Sequence, residues 1–215
     1  RIFFHDILNT AGGVKSLLEM LKHADTKEEA EVLRRELERA VGTLLDEITT
    51  QRELSAAERG ELAVNPVPLS SVRLLRDAAG LFFHHPAAEG KTIDILSDSE
   101  DFIIEVDQVL ARRILGNMVK NALEASRPGA RISLSCGRAG DRGFFKVHNP
   151  GYIAEDVALQ IFQRSFSTKG GGRGLGTYGM KLLGETYLHG KVDFTSRPEE
   201  GTVFRLELPL EGKVS

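Results

Sequence analysis

Cysteine is nearly absent: Cys136 stands alone among 215 residues. A single thiol excludes an internal disulfide framework and fits a reducing compartment, so a cytoplasmic location is expected. Cys136 falls in the strand-like run at residues 131–136, where a half-buried structural thiol is the expected state. Also missing is any apolar run near the roughly 20 residues that a membrane-spanning helix needs, so no membrane contact is expected of this stretch. No segment has the order of a secretory leader. Charge of one sign is not in excess either: 28 Lys and Arg against 31 Asp and Glu leave a net −3. Without a basic stripe, nucleic acid is not an expected partner. Internal repeats and low-complexity tracts are lacking as well. What is present, 41% hydrophobic and 27% charged residues, is ordinary for a globular chain of one domain or a small one with an appendage. The helical pattern is already under way at Phe3-Phe4, so the sequence reads as a fragment of something longer.

Two regions differ in period. Up to about residue 58, Phe4, Ile7, Ala11, Val14, Leu18 and Leu21 step by three and four, and so do Leu33, Leu37, Val41, Leu44 and Ile48. Each series is the apolar seam of a helix. Between them, Ala24-Asp25-Thr26-Lys27 supplies a turn in which either Asp25 or Thr26 caps the second helix, with Glu28 and Glu29 complementing its dipole. A lone hairpin leaves one side of each seam wet, so an antiparallel hairpin that pairs into a dimeric four-helix bundle is predicted, and with it a homodimer. Asn65-Pro66-Val67-Pro68 breaks the pattern and marks a boundary. The expected division is a hairpin over 1–60 and a second domain over 65–212. In the second domain, helices are expected at about 71–83, 107–126 (capped by Asp107) and 175–189. Strands are expected at 91–96, 101–106, 131–136, 143–148, 191–196 and 202–208. This order predicts an α+β sandwich of a helical layer on a mixed sheet.

Three groups of residues carry candidate chemistry. On the first helix His5, Asn9, Gly12 and Ser16 form a polar, small-residue stripe beside the apolar seam. A neutral imidazole is a competent nucleophile near pH 7, which a serine hydroxyl is not without help. Gly12-Gly13 within a helix costs roughly 1 kcal/mol per residue relative to alanine, and marks either a bend and close approach or tight packing. Asn117 and Asn121, four apart on one helix, project from the same face. Ser167-Thr168-Lys169-Gly170-Gly171-Gly172-Arg173-Gly174-Leu175-Gly176 is a glycine-rich, basic loop leading into a helix, a pattern that lets backbone amides approach phosphate.

Six strings recur in one order: His5-Asp6-Ile7-Leu8-Asn9, Asn117-Met118-Val119-Lys120-Asn121, Val147-His148-Asn149-Pro150-Gly151, Phe162-Gln163-Arg164-Ser165-Phe166, Gly172-Arg173-Gly174-Leu175-Gly176 and Gly201-Thr202. In that order they resemble the H, N, G1, F, G2 and terminal Gly-Thr boxes of sensor histidine kinases, over nearly the whole chain. The resemblance implies a GHKL or Bergerat α/β sandwich that binds ATP and Mg2+, and a phosphoacceptor hairpin that passes the phosphoryl group to a response-regulator receiver domain. It implies that His5 is phosphorylated, that Asp6 takes a proton from the other ring nitrogen, and that Asn9 orients water for dephosphorylating the partner. Asn121 is implied as the magnesium ligand, with Asn117 beside the phosphates; Lys120 is either a further phosphate contact or a surface lysine. Gyrase, Hsp90 and MutL types carry a glutamate at the place of Asn117, so this chain lacks their water-activating base. Asn149 stands where most members have the aspartate that accepts from the adenine amino group, Gly151 at the first glycine of that box, and Ile153 replaces the second. Phe166 with Phe162 either anchors the mobile loop or is ordinary core. Lys169 and Arg173 are implied to neutralise the outer phosphates, with Gly172, Gly174, Leu175, Gly176 and Thr202 completing the nucleotide site. The altered box around Asn149 leaves a second reading, a non-catalytic dimeric scaffold that binds nucleotide weakly.

Overall fold

The computed structural model describes residues 2–164 and 175–211, the side chains of residues 2–6 and 46 excepted. Helix α1 (Ile2–Lys22) and helix α2 (Lys27–Glu58) form a hairpin. Thr26 is the cap of α2, its hydroxyl accepting from the Glu29 N–H at 3.1 Å, while the Glu29 carboxylate reaches back to the Asp25 N–H. That reciprocal arrangement satisfies two amides that the helix itself leaves unpaired. Ile7, Val14, Leu17 and Leu21 of α1 and Leu33, Leu37 and Leu44 of α2 are half-buried, and Thr10 Oγ1 donates across to Glu47 Oε2. Three seam residues, Leu18, Val41 and Ile48, remain exposed, together with Leu8 (70%), Met20, Val32 and Leu45. A helix steps 100° per residue, so two antiparallel partners cover only part of an apolar stripe this wide.

The chain divides into two compact units, one holding the residues up to Glu61 and the other Leu62–Gln163 with the residues from Gly176 onward. The second unit opens with strand β1 (Pro66–Ser70), which pairs antiparallel with β3 (Ile103–Asp107) in a two-stranded ribbon. The helical pattern does end before Pro66 and Pro68, and these residues also take part in a strand. A proline cannot donate to a ladder, but either strand of a two-stranded ribbon has an unpaired side where none is required. Helix α3 (Ser71–Gly80) follows, then β2 (Thr92–Ile95), β3 and helix α4 (Gln108–Glu124). Strands β4 (Arg131–Ala139) and β5 (Arg142–Asn149) precede a short helix α5 (Glu155–Ala158). Helix α6 (Leu175–Lys181) runs into a π-helical segment, Leu182–Tyr187, before β6 (Lys191–Arg197) and β7 (Gly201–Pro209).

The five-stranded sheet has the order β2-β4-β5-β7-β6, parallel only between β2 and β4. Along β5 the alternation is complete: Phe145, Val147 and Asn149 are buried, whereas Phe144, Lys146 and His148 are half-exposed. The buried row meets α4, while α3 packs on β4; Leu75 of α3 and Ile114, Leu115 and Met118 of α4 are fully enclosed. Each such side chain contributes on the order of 1.5–3 kcal/mol by leaving water.

One polar knot lies in this core. Ser71, fully buried, accepts from the Phe102 N–H at 3.1 Å and donates towards the Glu100 carbonyl at 3.2 Å or Asp101 Oδ1 at 3.3 Å. Hydrogen bonds from the Ser70 hydroxyl, then the Val72 amide, hold the Asp101 carboxyl below the usual carboxylate range. Cys136 packs against the same hydroxyl, and burial pushes its thiol up, away from reactivity. Among the described residues no helix is long and apolar enough to cross a membrane.

Candidate active site

Helix α4 owes its place to Asp107. One carboxylate oxygen accepts from the Val109 and Leu110 amides at 2.9 and 3.0 Å, and the other from the Asn65 N–H at 2.9 Å. The cap thereby ties the start of the domain to the helix that carries the two asparagines. Leu110, Ile114, Leu115, Met118, Val119 and Ala122 line its buried face, and Asn117, Lys120 and Asn121 lie half-buried along its margin. The Asn121 Nδ2 is enclosed and has no hydrogen-bond partner. Gly176, in the first turn of α6, abuts this margin: a Cβ there would stand 3.7 Å from Asn117 Oδ1.

At the end of α4 the helix meets the end of β5. Asn149 is 2% exposed, and its Nδ2 is buried without a partner. Past it, a Cβ on Gly151 would lie 2.7 Å from that Nδ2 and 2.9 Å from the Ala125 carbonyl oxygen. Only glycine lets the strand end and the helix end approach so closely.

A hydrogen-bonded chain fixes the turn beyond Asn149. The Thr202 hydroxyl, 1% exposed, donates to the Gly151 carbonyl at 2.7 Å. Its contact with Ser196 Oγ at 2.8 Å must therefore receive the serine proton. That leaves Ser196 Oγ free to accept the Ile153 N–H, at 2.8 Å. Every proton in the series has one direction. Ile153 enters this series through its backbone N–H. Gly201, with φ of +78°, allows β7 to begin against the Asn149 carbonyl. From the outer face His148 Nε2 donates to the Glu200 carbonyl at 2.9 Å and pins the β6–β7 turn.

Phe162 stacks edge-on against Phe194 and Phe204, with Lys181 Nζ 5.1 Å above its ring. The pair joins the residues before position 164 to the helix that starts at 175.

The predicted site residues thus divide. Asn117, Lys120 and Asn121 on α4, Asn149 and Gly151 at the end of β5, Gly176 in the first turn of α6, and Thr202 on β7 belong to one compact unit, whereas Leu175, the first residue of α6, falls in the other. Asn9 is exposed on α1. His5 and Asp6 lie on the helical backbone of α1, but their side chains are outside the described residues, as are Phe166, Lys169, Gly172, Arg173 and Gly174. Ser196 and Ala125 were not predicted. Their parts arise from cross-strand register (Ser196 opposite Thr202) and from a helix end meeting a strand end, and neither is visible in a linear string.

Residues 106–212 match the family described as histidine kinase-, DNA gyrase B-, and HSP90-like ATPase, and through this segment the chain belongs to that class of ATPases. Its relatives place it with the sensor histidine kinases. It is 27% identical over 212 residues to the sensor protein DegM of Bacillus sp. (strain B21-2), covering 96% of this chain and 53% of DegM. With the signal transduction histidine-protein kinase BaeS of Escherichia coli (strain K12) it shares 28% over 184 residues, 81% of this chain and 38% of BaeS. The chain therefore spans about half the length of DegM, and less of BaeS. Among solved structures, the catalytic domain of the histidine kinase ThkA superposes with a TM-score of 0.61 at 27% identity, over 69% of this chain and 99% of that domain.

Proposed function

We propose that this chain is the phosphotransfer core of a sensor histidine kinase, with a dimerisation and phosphoacceptor hairpin over 1–60 and an ATP-binding domain over 65–212. In this reading the γ-phosphoryl group of ATP passes to His5, and from there to an aspartate of a response-regulator receiver domain. The observation that carries it is the meeting of Asn117, Asn121, Asn149, Gly151, Gly176 and Thr202 around the margin of α4, with an amide and not a carboxylate at position 117. A neutral amide is no base for water, so bound ATP is held for a better nucleophile, and an imidazole is one.

Asn149 meets the base, and the bond from Thr202 to Gly151 holds the backbone against which the base lies. Lys120, Lys169 and Arg173 supply positive charge to the phosphates, and Gly172, Gly174, Leu175 and Gly176 are assigned to bind them as well. Phe166 continues the aromatic anchoring begun by Phe162. For Mg2+ the donor set fits through oxygen chemistry. Among the described residues no cluster of three or more His, Cys, Asp or Glu side chains could cage a metal. An amide oxygen of Asn121, with nucleotide phosphates and water, suits an ion that keeps most of its hydration. When bound, Mg2+ neutralises phosphate charge; the residues of the chain do the positioning, which is most of catalysis in phosphoryl transfer. On α1, Asp6 holds a proton of the His5 ring and so fixes the nitrogen that attacks, and Asn9 orients water for the reverse, phosphatase, reaction.

The exposed apolar residues of the hairpin, Leu8, Leu18, Val41, Leu45 and Ile48 among them, support a homodimer that closes a four-helix bundle. ThkA, solved in complex with the response regulator TrrA, has this fold at a TM-score of 0.69 and 22% identity, which supports a receiver-domain partner. This reading carries a cytoplasmic location. Incubation with γ-labelled ATP and magnesium tests it. Acid-labile, alkali-stable label is expected on the unaltered chain and none on His5→Gln; label retained by His5→Gln refutes the assignment.

A further inference from the structure

The base end of the site has an unpaired hydrogen-bond donor, and that bears on which nucleotides it takes. From it we propose that the site accepts 6-oxopurine nucleoside triphosphates as well as 6-aminopurine ones, with Asn149 setting the tolerance. The inference rests on the ATP-site reading above and deepens it.

Asn149 is 98% enclosed by the fold, since its exposure is 2%, and Nδ2 has no partner. A buried amide nitrogen left unpaired is a standing penalty that a ligand acceptor relieves. Gly151 brings its backbone in against this nitrogen: a Cβ there would stand 2.7 Å from Nδ2. The Ala125 carbonyl oxygen, 2.9 Å from the same point, sets an acceptor beside the donor.

The chemistry of the two purine edges follows from this pair. The 6-amino group of adenine donates, and its N1 accepts. The 6-oxo group of hypoxanthine accepts, and its N1 carries a proton to donate. An asparagine amide offers both an acceptor and a donor, and a half-turn about its last torsion exchanges them in place. With Nδ2 inward it meets a 6-oxo group, leaving N1–H for a carbonyl such as that of Ala125. With Oδ1 inward it meets a 6-amino group. A carboxylate at this position is an acceptor in both orientations and confronts a 6-oxo group with two like partial charges. The discrimination that an aspartate imposes is therefore absent, while a polar group at purine position 6 is still read.

Calorimetric titration of the 215-residue chain with magnesium and three triphosphates tests this: ATP, inosine triphosphate, and purine riboside triphosphate, which has no 6-substituent. The expected result is that ATP and inosine triphosphate differ by less than about tenfold, and that purine riboside triphosphate binds roughly tenfold more weakly than either. In Asn149→Asp the ATP to inosine triphosphate ratio should widen by at least about tenfold. Rejection of inosine triphosphate by the unaltered chain as strong as by Asn149→Asp overturns the proposal. So does equal binding of all three nucleotides, which needs no variant. Failure of a folded chain to bind any of them overturns the ATP-site reading itself, and this proposal with it.

Discussion

Replacing Gly201 by alanine perturbs the joint on which the base end of the site depends, and the cost is calculable from two sources. The first is conformational. At φ of +78° an L-residue brings its Cβ against its own backbone, at roughly 1–2 kcal/mol. The second is steric. The new Cβ would lie 2.3 Å from the Asn149 carbonyl oxygen and 2.9 Å from Pro150 Cα. Both are backbone atoms, which cannot swing aside as a side-chain tip does, and overpacking of this kind costs roughly 1–3 kcal/mol. Against these stands a gain of about 0.4–1 kcal/mol from the stiffer unfolded chain, leaving a net loss of about 1–5 kcal/mol. Gly140 separates the two sources, since its φ of +64° is comparable and no atom lies within 4 Å of its would-be Cβ. Gly140→Ala should therefore show the conformational part alone, about 1 kcal/mol. Urea unfolding followed by the circular dichroism of the sheet measures both. Because the Asn149–Pro150 peptide must shift to admit the methyl group, ATP affinity should fall by tenfold or more in Gly201→Ala and stay unchanged in Gly140→Ala. Equal losses of stability in the two variants would refute the steric argument.

Other perturbations probe the polar knot. Ser71→Ala deprives the buried Phe102 amide of its side-chain acceptor and should lower stability by about 1–3 kcal/mol in the same unfolding assay; a loss under about 0.5 kcal/mol would show that the hydroxyl is replaceable. Acid should act at this corner too. Asp101 and Glu100 are both held below the usual carboxylate range, Asp101 chiefly by Ser70 and Glu100 chiefly by Arg138. Their contribution is present above the ordinary carboxylate pKa and disappears as pH falls through the lowered values. Unfolding midpoints between about pH 6 and pH 3 should thus decline less steeply in Asp101→Asn than in the unaltered chain.

Much of the second domain is legible from local signals because those signals and the tertiary contacts agree. Asp107 announces α4 by its capping chemistry, and the alternation of residues 143–149 matches a strand with one buried face. Strand β1 was hidden because two prolines outweigh its apolar residues in any local reading, and only pairing with β3 reveals that they sit on an edge. The hairpin seams were legible as stripes, yet the covered portion was not. Leu18 lies one residue from Leu17, and which of the two is covered depends on how the partner helix lies. At the candidate site, motif order pointed to Asn117, Asn149 and Thr202 as positions. The directed chain from Ile153 through Ser196 and Thr202 to Gly151 depends on register, which no spacing encodes.

The π-helical segment Leu182–Tyr187 has a consequence for chain length. It is closed by the Leu188 N–H reaching back five residues to the Leu183 carbonyl at 3.0 Å. The helix is fastened at both ends: Gly176 beside Asn117, and Gly184 so close to Val192 that a Cβ would stand 2.6 Å from its methyl group. A regular α-helix advances about 100° per residue, so the wide turn sets the phase between the two fastenings. A π turn takes in one more residue than an α turn, so deleting one residue within 182–187 would close it to an ordinary helix with the two fastenings near their present phase, whereas an added residue would swing one end by about that angle. This stretch should therefore tolerate the loss of one residue far better than the gain of one.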